Sequence, residues 1–138
     1  MSTIKQRLSG WGRYPVHETY AARPETNSDL RKLLTSELVA NWIAYGLGRS
    51  YGDTPLNENG GTIITTRLNR FLSFDEKTGI LECEAGVSFK EILDVFIPKG
   101  YFLPVTPGTK FVTVGGAIAN DVHGKNHHVD GTFSQHVL

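Results

Sequence analysis

Cysteine occurs once, at Cys83, in a chain of 138 residues. No intramolecular disulfide and no cysteine-built metal cage can form, which fits a reducing compartment. An excess of charge of either sign is also lacking, because 14 Lys and Arg balance 14 Asp and Glu. Nucleic-acid binders usually carry a basic excess, so the neutral balance argues against that partner. Long apolar runs are missing as well. The richest, 38–40 and 42–45, fall far short of the roughly 20 residues that a membrane-spanning helix requires. The opening segment MSTIKQRLSGWGRYP has basic residues but no apolar core, so no secretory signal is visible. These absences lead us to expect a cytoplasmic protein with no transmembrane segment, no bound metal and no nucleic-acid partner.

Glycine, in contrast, is plentiful: 15 residues, concentrated at 46–52, 60–61 and 108–124. Between these clusters the chain reads as one domain of mixed elements. Residues 1–23 show no clear period and are expected to be an arm that packs on something else, with Trp11 and Tyr14 given no chemistry. Asn27 or Ser28 can cap a helix whose apolar face is Leu30, Leu33, Leu34 and Leu38. Residues 42–45 then predict a short buried strand, with Trp42 in the core, and the β-branched 62–66 a second one. Phe71–Phe74 and Ile80–Ala85 flank a five-residue turn that ends in Gly79, a hairpin pattern. Ser88 and Glu91 form a capping box ahead of Phe89, Ile92, Leu93 and Phe96, and Pro98 stops that helix. Thr113 can cap a short helix over Val114–Asn120 whose first turn contains Gly115 and Gly116. Glycine there costs about 1 kcal/mol each relative to alanine, which suggests a first turn kept bare for a neighbour. Strands and helices without a strict βαβ rhythm predict an α+β fold.

The stretch Gly46-Leu47-Gly48-Arg49-Ser50-Tyr51-Gly52-Asp53 raises the question of function. A Rossmann fingerprint fails because the third glycine is one place late and turn residues follow where the helix should begin. A P-loop fails because no Gly-Lys-Ser/Thr ends the run. What remains is a loop whose successive N–H groups can form a concave anion nest, with Ser50 and Arg49 as further donors. Composition alone favours a plain glycine-rich turn. The second cluster, around Thr113-Val-Gly-Gly116, shifts the balance, because one long ligand explains two bare-backbone sites better than two unrelated turns do. FAD is such a ligand.

These motifs, together with Pro107-Gly108-Thr109 and Asp121-Val-His-Gly-Lys-Asn-His-His128, run in order over about 40–137. In them the chain resembles the FAD-binding, PCMH-type half of the vanillyl-alcohol-oxidase superfamily, and most nearly its decaprenylphosphoryl-ribose oxidase group. The resemblance implies a first lobe at about 15–60 and part of a second at about 61–138, in a domain that is cut short. It further implies an N-terminal fragment of an FAD-dependent oxidoreductase that is not expected to turn over by itself. Gly46 to Gly52 would then hold the diphosphate. Gly108, Thr113, Val114, Gly115 and Gly116 would line the cofactor, as would Asn120, Asp121, Val122 and His123. His123 and Tyr51 would lie nearest the flavin ring, and no catalytic base is assigned. Relatives with covalently bound flavin often carry histidine where this loop has Arg49, so the FAD is expected to be non-covalent. The implied substrate is a polyprenyl-phosphoryl ribose or a related sugar alcohol or lactone. A partner reductase would complete an epimerisation, and membrane association would come through the missing part.

The remaining polar residues admit plainer roles. His123, His127 and His128 could share a metal, but Gly124 and Asn126 disfavour the helix that would group them, and no full ligand set is apparent. Asp53 beside glycine and threonine suits a turn. Lys125 could offer charge to a flavin or a phosphate-bearing substrate, or simply be solvated. Cys83 reads as a small buried hydrophobe. A non-redox module binding a nucleotide or sugar phosphate remains the alternative function.

Overall fold

The computed structural model describes residues 2–138, which fold as two compact units, the first ending at Leu68 and the second spanning Asn69–Leu138. No helix among the described residues is long and apolar enough to cross a membrane.

In the first unit, residues 1–23 are not an arm. β1 (Ile4–Ser9) and β2 (Val16–Ala22) pair antiparallel, with Ile4 opposite Ala21 and Ser9 opposite Val16. The sheet continues through β4 (Gly61–Ile64) to β3 (Trp42–Tyr45), in the order β1-β2-β4-β3, with both β4 pairings parallel. The hairpin was hidden because one face of it is polar or solvated, and only Leu8, Thr19, Ala21 and Ala22 carry a burial signal. Central β4 is buried along its whole length, as a parallel strand covered on both faces must be. Its single hydroxyl is satisfied: Thr62 shares a 2.7 Å hydrogen bond with Thr19, whose hydroxyl also reaches the Gly60 carbonyl at 2.8 Å. Gly61 must be bare because a Cβ there would run into the Trp42 ring. Trp42 itself is only partly buried.

Between β2 and β3 lies α1 (Asn27–Leu34). Its cap is Thr26, one residue before the expected pair, and the Thr26 hydroxyl accepts from the Asp29 amide at 3.1 Å. The leucine stripe is corrected too. The Thr35 and Ser36 hydroxyls donate to the Arg31 and Leu33 carbonyls and close the helix. Leu38 therefore falls beyond it, and of the stripe only Leu33 is buried.

The second unit follows the sequence reading closely. β5 (Phe71–Asp75) and β6 (Ile80–Cys83) form the hairpin, and Gly79 takes the left-handed φ of +72° that the turn requires. α2 (Phe89–Phe96) opens on the capping box: the Glu91 amide donates to the Ser88 hydroxyl at 3.2 Å, and the Ser88 amide donates to the Glu91 carboxylate at 2.8 Å. Its apolar face joins Val87, Val105, Ala117 and Phe133 to form the core. Cys83 packs at the edge of that core, and burial pushes its thiol pKa up. α3 (Val114–Ala119) and α4 (His127–Asp130) complete the unit.

A buried carboxylate fastens the start of β5 to the end of β6. Glu84, with only 7% of its side chain exposed, accepts from Arg70 Nη2 at 2.7 Å, Nε at 3.0 Å and the backbone amide at 2.9 Å. Hydrogen bonding from Arg70 holds its pKa below the ordinary 4.5. A carboxyl with a lowered folded pKa stabilises above its unfolded value and loses that contribution as pH falls through the folded one. Thermal melts taken downward from neutral pH should show this loss beginning below about pH 4.5. Glu84→Gln should melt lower at neutral pH and lack that segment of the acid profile. An acid profile identical to wild type would show that Glu84 is not the responsible group.

Candidate functional site

The first glycine cluster leaves the end of β3. Gly48 and Gly52 adopt left-handed φ values of +66° and +56°, so the backbone reverses hand twice between Tyr45 and Asp53. Only glycine enters that region readily. Among the described residues, no group of the chain accepts a hydrogen bond from the amides of Gly48, Arg49, Ser50 or Tyr51. Backbone N–H groups are seldom left without an acceptor unless solvent or a ligand supplies one. Leu47 lies on the same loop, and its carbonyl accepts from Arg49 Nη1 at 2.9 Å. Tyr51 is 77% exposed and meets Trp11 edge to face, with ring centroids 5.9 Å apart. Gly46 joins the loop to β3 and makes none of these contacts.

The second cluster behaves differently. Thr113 caps α3 as expected, its hydroxyl accepting from the Gly116 amide at 3.1 Å. The Val114 amide donates to Val87 O and the Gly115 amide to Ala85 O, each at 2.8 Å. These amides are therefore all engaged within the chain. The neighbour that keeps Gly115 bare is also internal: a Cβ there would stand 3.0 Å from the Ala85 Cβ and 3.1 Å from its carbonyl oxygen. Asn120, the C-cap, donates from its side chain to Gly116 O at 2.8 Å. Asp121 takes a left-handed φ of +43° and accepts from the Ser134 hydroxyl, which is the main reason its carboxyl is held below the usual range. Val122 packs against the core, and its carbonyl accepts from the Phe133 amide at 2.8 Å.

His123 and Gly108 do come together. Both line a cavity of about 750 Å³ whose walls are the segments 102–108 and 123–127. That volume lies within the roughly 300–1,000 Å³ of small-molecule sites. Sequence reasoning passed over the residue that stitches the two walls. Asn126 donates from Nδ2 to Pro104 O at 3.0 Å and to the Asp130 carboxylate at 2.7 Å. Beside it, a Cβ on Gly124 would stand 2.6 Å from Thr106 O, so the walls meet on bare backbone. Gly108 faces open space, with nothing within 4 Å of where its Cβ would stand. Phe102 and Lys125 contribute an exposed ring and a cation to the same lining.

No helix joins His123 to His127, as Gly124 and Asn126 led us to expect. Residues 127–130 do form a short helix, since the Asn126 carbonyl accepts from the Val129 and Asp130 amides and Gly131 ends the turn. The His127 and His128 rings lie tilted at 39° to each other with centroids 3.9 Å apart, and His127 Nδ1 bonds Gly124 O at 2.9 Å. Among the described residues, no three His, Cys, Asp or Glu side chains converge as a metal site would require.

A protein-family model described as an FAD binding domain matches residues 19–138, so the chain belongs to the FAD-binding domain family of FAD-linked oxidoreductases. FAD is its cofactor. Over 98% of its length it is 42% identical to decaprenylphosphoryl-beta-D-ribose oxidase of Mycolicibacterium smegmatis, and it covers 30% of that protein. It is also 33% identical to D-lactate dehydrogenase of Archaeoglobus fulgidus over 67% of the chain and 20% of that protein. Cholesterol oxidase from Brevibacterium sterolicum shares the fold with a TM-score of 0.75 at 16% identity, over 89% of this chain and 25% of that one. Alkyldihydroxyacetonephosphate synthase does so with a TM-score of 0.70 at 20% identity, over 86% of this chain and 24% of that one. The fold is thus the α+β architecture of PCMH-type FAD-binding domains, of which these residues form part.

Proposed function

We propose that this chain is the FAD-binding part of an oxidoreductase that oxidises a sugar hydroxyl, with a polyprenyl-phosphoryl ribose or a related sugar alcohol or lactone as substrate. The observation that carries the cofactor half of this reading is the row of amides from Gly48 to Tyr51 with no acceptor in the chain. A diphosphate is an anion suited to such a row, and Arg49 and Ser50 add a cation and a hydroxyl. In the second unit, the cavity bearing Gly108 and His123 has the size and mixed lining of a site for a flat aromatic ring. The relative from M. smegmatis supports a sugar substrate through its own name. Thr113 to Gly116 and Asn120 to Val122 act through shape, because their polar groups are largely engaged within the chain.

When bound, FAD supplies the acceptor for a hydride leaving the sugar carbon. The first unit's residues bind the diphosphate and keep the loop open to it, and His123 lines the cavity of the second unit. The FAD is held without a covalent bond, since the loop carries Arg49 where covalent relatives often carry histidine. A separate reductase acting on the oxidised sugar would complete an epimerisation.

Acid precipitation of the flavin-loaded full-length enzyme tests this. All of the yellow colour is expected in the supernatant, and FAD is expected to be reduced on adding a polyprenyl-phosphoryl ribose without air. Colour retained in the pellet would refute the non-covalent assignment. A flavin left oxidised by that sugar but bleached by a D-2-hydroxy acid would move the substrate to another class.

A further inference from the structure

The turn between β1 and β2 takes no part in the function derived so far, yet it touches the first glycine loop at four points. The Trp11 amide donates to Ser50 O at 2.9 Å. The Tyr45 hydroxyl, at the base of the loop, donates to Ser9 O at 2.8 Å. Gly10 is buried, and a Cβ on it would stand 2.6 Å from Ser50 O and 2.8 Å from Gly52 O. Finally, the Trp11 and Tyr51 rings meet edge to face at 5.9 Å.

We propose that Ser9, Gly10 and Trp11 are positioning residues of the diphosphate loop, aiming its free amides through the carbonyls they hold. The peptide bond is planar. Within one trans peptide, the C=O of a residue and the N–H of the next point in opposite directions. Drawing the Ser50 carbonyl onto the Trp11 amide therefore turns the Tyr51 N–H away from the hairpin, toward the side where an anion can be received. Arg49 does the same one step earlier. Its guanidinium holds Leu47 O at 2.9 Å and so fixes the direction of the Gly48 N–H. Two peptide planes of the loop are pinned by their carbonyls, and in both the paired amide has no acceptor in the chain. A site arranged before its ligand arrives binds more tightly, because the ordering cost is already met. The bare Cα of Gly10 lets the hairpin come close enough to make these contacts. The Tyr45 hydroxyl, which also abuts Gly48, sets the height of the loop above the sheet.

This inference rests on the assignment of the diphosphate to residues 46–52, and the test separates the two. FAD is titrated into flavin-free wild-type protein and five variants, following quenching of flavin fluorescence, with the melting temperature of each apoprotein recorded. Tyr45→Phe should raise the FAD dissociation constant about threefold with apoprotein melting near that of wild type, and Gly10→Ala, whose Cβ would press on the Ser50 and Gly52 carbonyls, at least about tenfold and by more than its fall in apoprotein melting accounts for. Trp11→Phe keeps the backbone amide and an aromatic edge, and should bind within about twofold of wild type. Normal affinity in both Gly10→Ala and Tyr45→Phe would overturn the proposal. So would affinity that falls only as far as the apoprotein melting transition is lost, since that is the mark of a merely structural turn. If Gly10→Ala and Tyr45→Phe bind normally but Arg49→Ala and Gly52→Ala do not, the hairpin role falls and the loop assignment stands. If none of these variants changes FAD affinity, both fall.

Discussion

Replacing Gly108 by valine is expected to empty the protein of flavin while leaving its fold intact. Most glycine substitutions in the candidate site cannot separate those effects. A side chain at Gly48 would be forced into a left-handed φ and against the Tyr45 hydroxyl, so Gly48→Val damages the loop directly. One at Gly115 would press on Ala85, and one at Gly124 on the Thr106 carbonyl. Gly108 has neither a left-handed φ nor an atom within 4 Å of a built Cβ, and it lies on the cavity lining. Gly108→Ala should therefore be neutral or raise stability by about 0.4–1 kcal/mol through lower freedom of the unfolded chain. Valine at the same position fills part of the cavity. We expect purified Gly108→Val to show little or no visible flavin absorbance, with a far-ultraviolet dichroism spectrum like that of wild type. Full flavin content in Gly108→Val would show that the cavity does not face the ring.

The second large effect is on stability. Phe89→Ala should lower unfolding free energy by about 3–5 kcal/mol, measured by chemical denaturation with dichroism as the probe. Phe89 is fully buried at the first position of α2, and its ring lies 4.8 Å from that of Phe133. Its amide also donates to the Val112 carbonyl at 2.9 Å, so the backbone is fixed and can close little of the void. Domains are stable by about 5–15 kcal/mol in total, so this one truncation removes a large fraction of the reserve. Phe89→Leu, which keeps most of the volume, should cost less than half as much. Equal losses in the two variants would mean that ring geometry, not volume, carries the contribution.

The second unit was legible because its signals are local. Ser88 and Glu91 satisfy each other's backbone across one turn, Thr113 does the same for Gly116, and Gly79 marks a turn by its conformation. Each needs only residues within a few positions. The first unit was less legible because its sheet is built from distant pairings. β2 finds β4 some forty residues away, and its burial alternates with exposed Val16, Glu18 and Tyr20, which hid the hairpin within 1–23. For the site, the motif-bearing residues were visible but not what their amides do. Nothing in Thr113-Val-Gly-Gly116 tells that Ala85 and Val87 occupy those donors, whereas the loop at 46–52 keeps its own. Asn126 and Gly10 were passed over because each acts on a carbonyl far along the chain, and a carbonyl leaves no mark on sequence. The leucine stripe misled because hydroxyls at Thr35 and Ser36 end the helix before the pattern does.

The Ala85–Gly115 contact makes two positions thirty residues apart into a single steric constraint. Their separation is set by the two hydrogen bonds that dock the start of α3 on the segment 85–87, so neither can enlarge unless α3 lifts away. Substitutions at these sites should consequently be tolerated only in pairs, or only after the docking itself has been redrawn.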